Sequence, residues 1–341
     1  MRIALTYDLR EAHVASGMDP EDAAEFDHEG TIAALVETLR ALGHEPVRIG
    51  GIRALVPQLA RGRLGVDLVF NIAEGRHGRA REAQVPALLE AYRIPYTFSD
   101  PLTLAVCLDK AVAKRLVREA GVPTAPFRVL AGPQDDAACD LPFPLFLKPI
   151  AEGSSKGTSA ASRVGDRAAL AEVASRLRRR FQQPVLAEVY LPGREVTVGI
   201  AGPADAPRPL GVMEILVDSP DEPGIYSFAN KQQWRQRVRY APVRGPLAEE
   251  AVAIAAAAYR ALGCRDVARI DLRQDADGRL VFLEANPLPG LNPEEGDLPI
   301  LARAHGMDYR ALIALIIAEA SARLRRRERR GEPDEAACVP S

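Results

Sequence analysis

Apolar positions along the chain follow two rhythms. Residues 3–7 (Ile3-Ala4-Leu5-Thr6-Tyr7) form a nearly continuous apolar run, the pattern of a strand covered on both faces. From 31 to 42 the apolar residues recur at helical spacing and stop at Gly43. Strand patterns follow at 46–49 and 66–70, and a helical one at 81–92. Alternation of this kind predicts a parallel sheet covered by helices.

Asp100-Pro101 opens another helical stretch, and a second helix over 109–120 ends at Gly121 with Pro123 beyond it. A strand at 143–148, a polar glycine-serine loop, a helix at 167–180 and a strand at 185–189 read as a small α+β unit. Beyond 195, strand patterns dominate (195–200, 210–217, 238–241, 268–272 and 280–283), interrupted by an alanine-rich helix at 247–262. A last helix runs from 309 towards 329. The expected organisation is an N-terminal α/β domain over 1–108, a central domain over 109–189, a C-terminal domain over 190–325 and a disordered tail over 326–341.

Composition changes this picture little. Of 341 residues, 47% are hydrophobic and 26% charged, with a formal net charge of -2, so nothing calls for a nucleic-acid or membrane partner. No apolar run approaches the roughly 20 residues of a transmembrane helix, and the start turns polar too soon for a signal peptide. Cys107, Cys139, Cys264 and Cys338 have neither disulfide-framework nor zinc spacing, so a cytoplasmic location is expected. The end, Cys338-Val339-Pro340-Ser341, formally fits a prenylation box, but chance in an arginine-rich end is the plainer reading.

Chemistry is most concentrated in Ala268-Arg269-Ile270-Asp271-Leu272 and Val281-Phe282-Leu283-Glu284-Ala285-Asn286, joined through Asp275-Ala276-Asp277-Gly278. The turn cluster between two apolar runs predicts a hairpin. Side chains alternate along a strand, so Arg269 and Asp271 share one face, as do Glu284 and Asn286. A register pairing Asp271 with Glu284 also pairs Arg269 with Asn286. The other face then holds Ile270, Leu272, Leu283 and Ala285 as core. Facing carboxylates repel unless a cation lies between them. Oxygen donors from Asp, Glu and Asn suit Mg²⁺ together with substrate phosphate. A solvated hairpin face whose acids pair with Arg269 is the plain alternative.

Lys148 ends an apolar strand and precedes the loop Glu152-Gly153-Ser154-Ser155-Lys156-Gly157. Glycines let backbone N–H groups approach phosphate, serines add donors, and a lysine supplies a point charge. An ordinary surface turn has the same composition.

Taken in order, Leu108-Asp109-Lys110, Phe146-Leu147-Lys148-Pro149, Glu152-Gly153-Ser154-Ser155, Leu191-Pro192-Gly193-Arg194-Glu195-Val196-Thr197-Val198, Ala268-Arg269-Ile270-Asp271 and Leu283-Glu284-Ala285-Asn286 through Pro289-Gly290 resemble the D-alanine–D-alanine ligase family of ATP-grasp enzymes. The resemblance implies a three-domain ATP-grasp fold of α/β and α+β units, with an N-terminal Rossmann-like (pre-ATP-grasp) domain. It implies an ATP-dependent carboxylate–amine ligase working through an acyl phosphate, with ATP and two Mg²⁺ ions (Mn²⁺ as an alternative). Lys110, Lys148, Ser154 and Ser155 would then meet the phosphates, Glu188 and Leu191 the adenine, and Glu195 the ribose. Lys231 would reach the phosphates from a lid over 226–233. Asp271, Glu284 and Asn286 would hold the metal, Arg269 would neutralise the transferred phosphoryl, and Gly290 would offer an N–H at the acyl centre. Partners would be amino-acid or amine substrates, with a homodimer among the expectations.

The departures from the family pattern fall on the substrate side. The glutamate that would hold the first substrate's ammonium has two candidates, Glu11 and Glu25. A motif glutamate becomes Arg79, a potential carboxylate clamp. The serine expected to bind the acceptor's carboxylate aligns with Glu295, which would repel it and suit a cationic amine. An ATP-grasp ligase for other amines, or a non-catalytic nucleotide-binding regulator, are the alternatives.

Overall fold

The computed structural model describes residues 1–329 except Arg63 and Pro223. The expected tail beyond Arg329 lies outside the described residues, and so does Cys338. The helix Tyr309–Arg329 itself runs through the expected boundary at 325/326. Three sheets organise the chain.

The first sheet is parallel, in the order β2 (Glu45–Arg48), β1 (Arg2–Tyr7), β3 (Leu68–Ile72). The central strand is covered on both faces, which is why its sequence is a run and not an alternation. One face packs Ile3 and Leu5 against Ile32, Leu35 and Leu39 of the helix Glu29–Ala41 and against Ile313, Ile316 and Ile317 of the last helix. The other face packs Ala4 and Val69 against Leu55, Leu59, Val85 and Leu89. β3 starts at Leu68, two residues later than expected, and just before it Asp67 binds Arg2 with both backbone and side chain: its N–H donates to the Arg2 carbonyl at 2.9 Å and its carboxylate accepts from the Arg2 N–H at 2.7 Å. The helices Arg10–Ala15 and Ile52–Ala60 add to the expected elements: the first is one short turn with no buried residue, and the second has apolar residues at helical spacing but contains Pro57, which reads as a helix breaker.

Two helices lead to the second sheet. Asp100 caps Pro101–Leu108 by accepting from Thr103 N–H at 2.9 Å, and Asp109 caps Lys110–Glu119 by accepting from Ala111 and Val112. The second sheet is antiparallel, in the order β4 (Phe127–Leu130), β7 (Val185–Val189), β5 (Leu145–Pro149), β6 (Arg163–Val164). The helix Arg167–Phe181 covers it with Leu170, Val173, Ala174 and Leu177.

The third sheet, also antiparallel, runs β10 (Val238–Pro242), β9 (Arg208–Val217), β8 (Glu195–Ala201), β11 (Val267–Gln274), β12 (Leu280–Asn286). Val196, Val198, Ile200, Ile270 and Leu272 face the alanine-rich helix Pro246–Ala261, whose Ala251, Ala255 and Ala258 allow close approach. The alternate residues of β8, β11 and β12 look into a cleft between the sheets. Cys107, Cys139 and Cys264 are buried and unpaired. Among the described residues no helix is long and apolar enough to cross a membrane.

Candidate active site

The hairpin β11–β12 pairs Asp271 with Glu284 and Arg269 with Asn286, the register that alternation predicts. Arg269 donates from Nε and Nη2 to the two Asp271 oxygens, each at 2.9 Å. Asp271 also accepts from Thr197 Oγ1 at 2.6 Å and Asn286 Nδ2 at 2.9 Å. Glu284 lies 3.2 Å from Lys110 Nζ. Burial pushes its carboxyl up, but Lys110 and Lys148 outweigh that and hold it at about 2. The same strand alternation adds Arg273, which donates to Glu195 at 2.8 Å.

One feature of the hairpin differs from expectation. A β-bulge after Asp271 opposes Leu272 to Phe282, so Leu283 is the extra residue. Phe282 takes the core position expected for Leu283, fully buried with Ile270, Leu272 and Ala285. Leu283 turns to the cleft and packs with Ala125, Leu191 and Val281, forming an apolar wall. The bulge keeps Glu284 opposite Asp271 while supplying a greasy slot beside it.

Lys148, at the end of β5, lies 2.7 Å from Glu188 Oε1, and Lys114 lies 3.0 Å from Glu188 Oε2. All three side chains are less than a tenth exposed. Burial raises the Glu188 carboxyl, yet Lys114 and Lys148 outweigh it and hold it at about 2. The Glu188 carboxylate is thus occupied by two lysines, which leaves the backbone of this cleft-lining residue for the adenine contact expected there. Lys114 was missed, though a lysine four residues after Lys110 on an otherwise apolar helix face is a readable signal. Ser154 and Ser155 line the cleft in left-handed backbone (φ 51° and 56°), before Gly157 at φ 74°. Lys156 also lines the cleft, where Glu25 at 3.2 Å and Glu152 hold it.

Across the cleft, Lys231 sits on the short helix Phe228–Gln232, with its Nζ 3.7 Å from Asp297 Oδ2. Asp297 is the first residue of the helix Asp297–Ala304 and is 2% exposed. Its Oδ2 lies 3.1 Å from Arg269 Nη1, and its Oδ1 accepts from the Tyr226 and Tyr240 hydroxyls, both at 3.2 Å. Burial raises the Asp297 carboxyl, but Lys231 and Arg269 overcome this and leave it lowered. Glu295 lines the rim, half-exposed and 3.7 Å from Arg235. Gly290 is exposed on the same wall, and a methyl group there would meet no protein atom within 4 Å.

The N-terminal wall carries Glu25, Asp27, Glu74 and Glu82. Of the two glutamates proposed for an ammonium, Glu25 lines the cleft, whereas Glu11 is an outer residue bound to His28 at 3.0 Å. The arginine expected in the cleft is also displaced. Arg79 is 78% exposed and hydrogen-bonds Asp109, outside the cleft; Arg81 is the buried one, donating to Glu25 at 3.0 Å and to the Ala151 carbonyl at 2.9 Å. The turn here has a steric cause: Gly75 has φ 71°, and a Cβ would lie 2.4 Å from the Arg81 carbonyl oxygen. Burial, with Glu82 and Glu25 nearby, raises the Glu74 carboxyl well above its usual range. Burial also lifts Asp27 to about 7, aided by Asp8.

The whole cleft encloses about 680 Å³. It joins a metal-suited hairpin face, two lysines at strand and helix ends, an apolar slot and Lys231 on the facing wall, and phosphoryl transfer calls for such a set of cations and metal ligands. A family model described as "D-ala D-ala ligase C-terminus" matches residues 116–318. The chain is 35% identical over 265 residues to a D-alanine–D-alanine ligase of Bordetella pertussis, covering 76% of this chain and 80% of that one. It is 35% identical over 296 residues to a D-alanine–D-alanine ligase of Gluconobacter oxydans, covering 85% and 93%. The crystal structure of the D-alanine–D-alanine ligase of Bacillus anthracis superposes with a TM-score of 0.73 over 97% of this chain and all of that one, at 24% identity, so the fold is shared. The chain belongs to the D-alanine–D-alanine ligase family, with the ATP-grasp fold, and is an ATP-dependent ligase that forms a C–N bond between a carboxylate and an amine.

Proposed function

We propose that this ligase joins D-alanine, or a close analogue, as carboxylate donor to an amine acceptor, with the segments 1–108, 109–189 and 190–325 acting as its three domains. The observation that carries the reading is the hairpin face, where Asp271, Glu284 and Asn286 stand beside Lys110 and Lys148. Magnesium fits this donor set: two carboxylates and an amide oxygen are hard ligands. No cluster of three acidic, His or Cys ligands occurs among the described residues, so phosphate and water would complete the shell, as is usual for Mg²⁺. When bound, Mg²⁺ would neutralise phosphate charge.

Lys110, Lys148, Ser154, Ser155 and Lys231 bind and orient the triphosphate in this reading. Leu191 and Leu283 bury the adenine, and Glu195, which Arg273 holds, accepts from the ribose hydroxyls. A donor carboxylate oxygen attacks the γ-phosphorus, the bond to the β-phosphate oxygen breaks, and ADP leaves with the electron pair. Arg269 faces the phosphoryl and the later tetrahedral carbon, and the Gly290 N–H faces the acyl oxygen. The amine then attacks the acyl carbon, phosphate leaves, and the surplus amine proton goes to phosphate or solvent. Closure of the 226–233 segment excludes water from the acyl phosphate.

The test is ADP release by the purified enzyme with D-alanine, ATP and Mg²⁺, with product masses. One ADP and one phosphate per amide is expected. Release of ADP without an amide, or no release with any D-amino acid donor, contradicts the reading.

A further inference from the structure

We propose that Asp297 makes the acceptor side of the cleft anionic, so that the enzyme prefers an amine acceptor without a free carboxylate next to the amine. The inference rests on the ligase reading above and deepens it. Asp297 is 2% exposed and lines the cleft, and its Oδ2 has no hydrogen-bond partner. A carboxylate at the first turn of a helix is ordinary when it caps backbone N–H groups or meets water. This one does neither: Oδ1 is filled by the Tyr226 and Tyr240 hydroxyls, and Oδ2 faces Arg269 and Lys231.

The charges around it decide what can bind there. Arg269 is already held by both oxygens of Asp271. Arg269 and Lys231 are also the groups that the transferred phosphoryl would claim. Once they turn to phosphate, Asp297 is left buried and short of cations, the situation a protein avoids by taking a cationic partner. The acceptor's ammonium supplies one. A carboxylate on the acceptor would instead meet Asp297 and Glu295. Arg235, at the same rim, is 65% exposed and already faces Glu295 at 3.7 Å. A free amino acid therefore brings a like charge into this subsite, and an amine or amino-acid amide does not.

The test is a competition. Wild-type enzyme with ATP and Mg²⁺ receives D-alanine and D-alaninamide at equal concentration, and the free dipeptide and the dipeptide amide are separated and quantified by mass. D-alaninamide has no carboxylate and serves only as acceptor, so the product ratio reads acceptor preference. At least about tenfold more amide product is expected, and Asp297→Asn should lower that ratio by about tenfold, roughly 1.4 kcal/mol. Equal or greater formation of the free dipeptide by wild type, or an unchanged ratio in the variant, overturns the inference. A parallel reaction with hydroxylamine reads the donor half alone: no hydroxamate from D-alanine means that the donor reading has failed. Calorimetric binding of D-alaninamide to enzyme holding a non-hydrolysable ATP analogue then still decides the role of Asp297. Binding about tenfold weaker in a folded Asp297→Asn variant supports it, and unchanged binding overturns it.

Discussion

Replacing Glu188 with glutamine separates two roles for that residue. If the side chain recognises adenine, Glu188→Gln weakens ATP binding and leaves the apoprotein as stable as before. The structure argues for a different result. The carboxylate lies 2.7 Å from Lys148 Nζ and 3.0 Å from Lys114 Nζ, with all three groups buried. Two unit charges about 3 Å apart attract by roughly 5 kcal/mol at an effective dielectric constant of 20. Desolvation of three ions offsets much of the gain from the two pairs. Removing only the negative member leaves both ammonium groups buried, which typically costs about 3–5 kcal/mol. Lys114 has the poorest alternatives, because burial already lowers its pKa and its remaining acceptors are the Thr124 hydroxyl and the Phe282 carbonyl. Urea unfolding of the ligand-free protein, followed by circular dichroism, reads this directly. The midpoint should fall with little change of slope. A loss under about 1 kcal/mol, accompanied by a large rise in the ATP KM, would falsify the ion-cluster assignment and give the side chain itself a role at adenine.

Three further outcomes follow from the same geometry. Glu284→Gln should cut turnover by at least about 100-fold if the residue shares the metal–phosphate charge, and near-wild-type kcat would refute that placement. Arg269→Ala should lower kcat far more than it raises the ATP KM if, as proposed, the guanidinium acts on charge that develops during transfer; a pure KM effect would assign it to ground-state binding instead. Acid should destabilise the fold through Glu188 and Glu284, whose carboxyls are held at about 2. A lowered folded pKa contributes stability above the unfolded value and loses it as pH falls through the folded one. The expected window is therefore from about 4.5 down to about 2. Asp27, raised to about 7, works the other way: its folded form favours the proton, so its contribution fades as pH rises from about 4 towards 7. Urea midpoints between pH 2 and 7 for wild type and Glu188→Gln test both signs, because the variant should lose part of the acid-side slope.

How much of this was legible in the sequence depends on the range of the interaction that fixes each residue. The hairpin face was readable because strand alternation and a turn cluster are local signals, and the register then follows. The bulge was not, because nothing local distinguishes Phe282 from Leu283 as the core residue. That choice is made by Tyr259, Ile270 and the alanine-rich helix packed beneath. The same holds for Arg79 and Arg81. They stand two apart where a loop meets the first turn of a helix, and the choice falls to Glu25, 56 residues away.

The acceptor wall shows the cost of a two-residue slip most clearly. Glu295 and Asp297 flank Gly296, and a sequence offers no reason to prefer one over the other. In the fold, Gly296 precedes a helix, and its neighbours part company: Glu295 stays at the rim with Arg235, while Asp297 turns inward to Arg269 on β11. The chemistry inferred from an acidic residue at this wall survives the slip, but its strength does not. A half-exposed glutamate is screened by water and an adjacent arginine, so it selects weakly. A buried aspartate sharing Arg269 with Asp271 is coupled to the phosphoryl site itself. Whatever charge Arg269 and Lys231 give to phosphate, they withdraw from Asp297. On this view the acceptor's ammonium and the transferred phosphoryl bind favourably together, and the preference for a cationic acceptor should strengthen once ATP is in place.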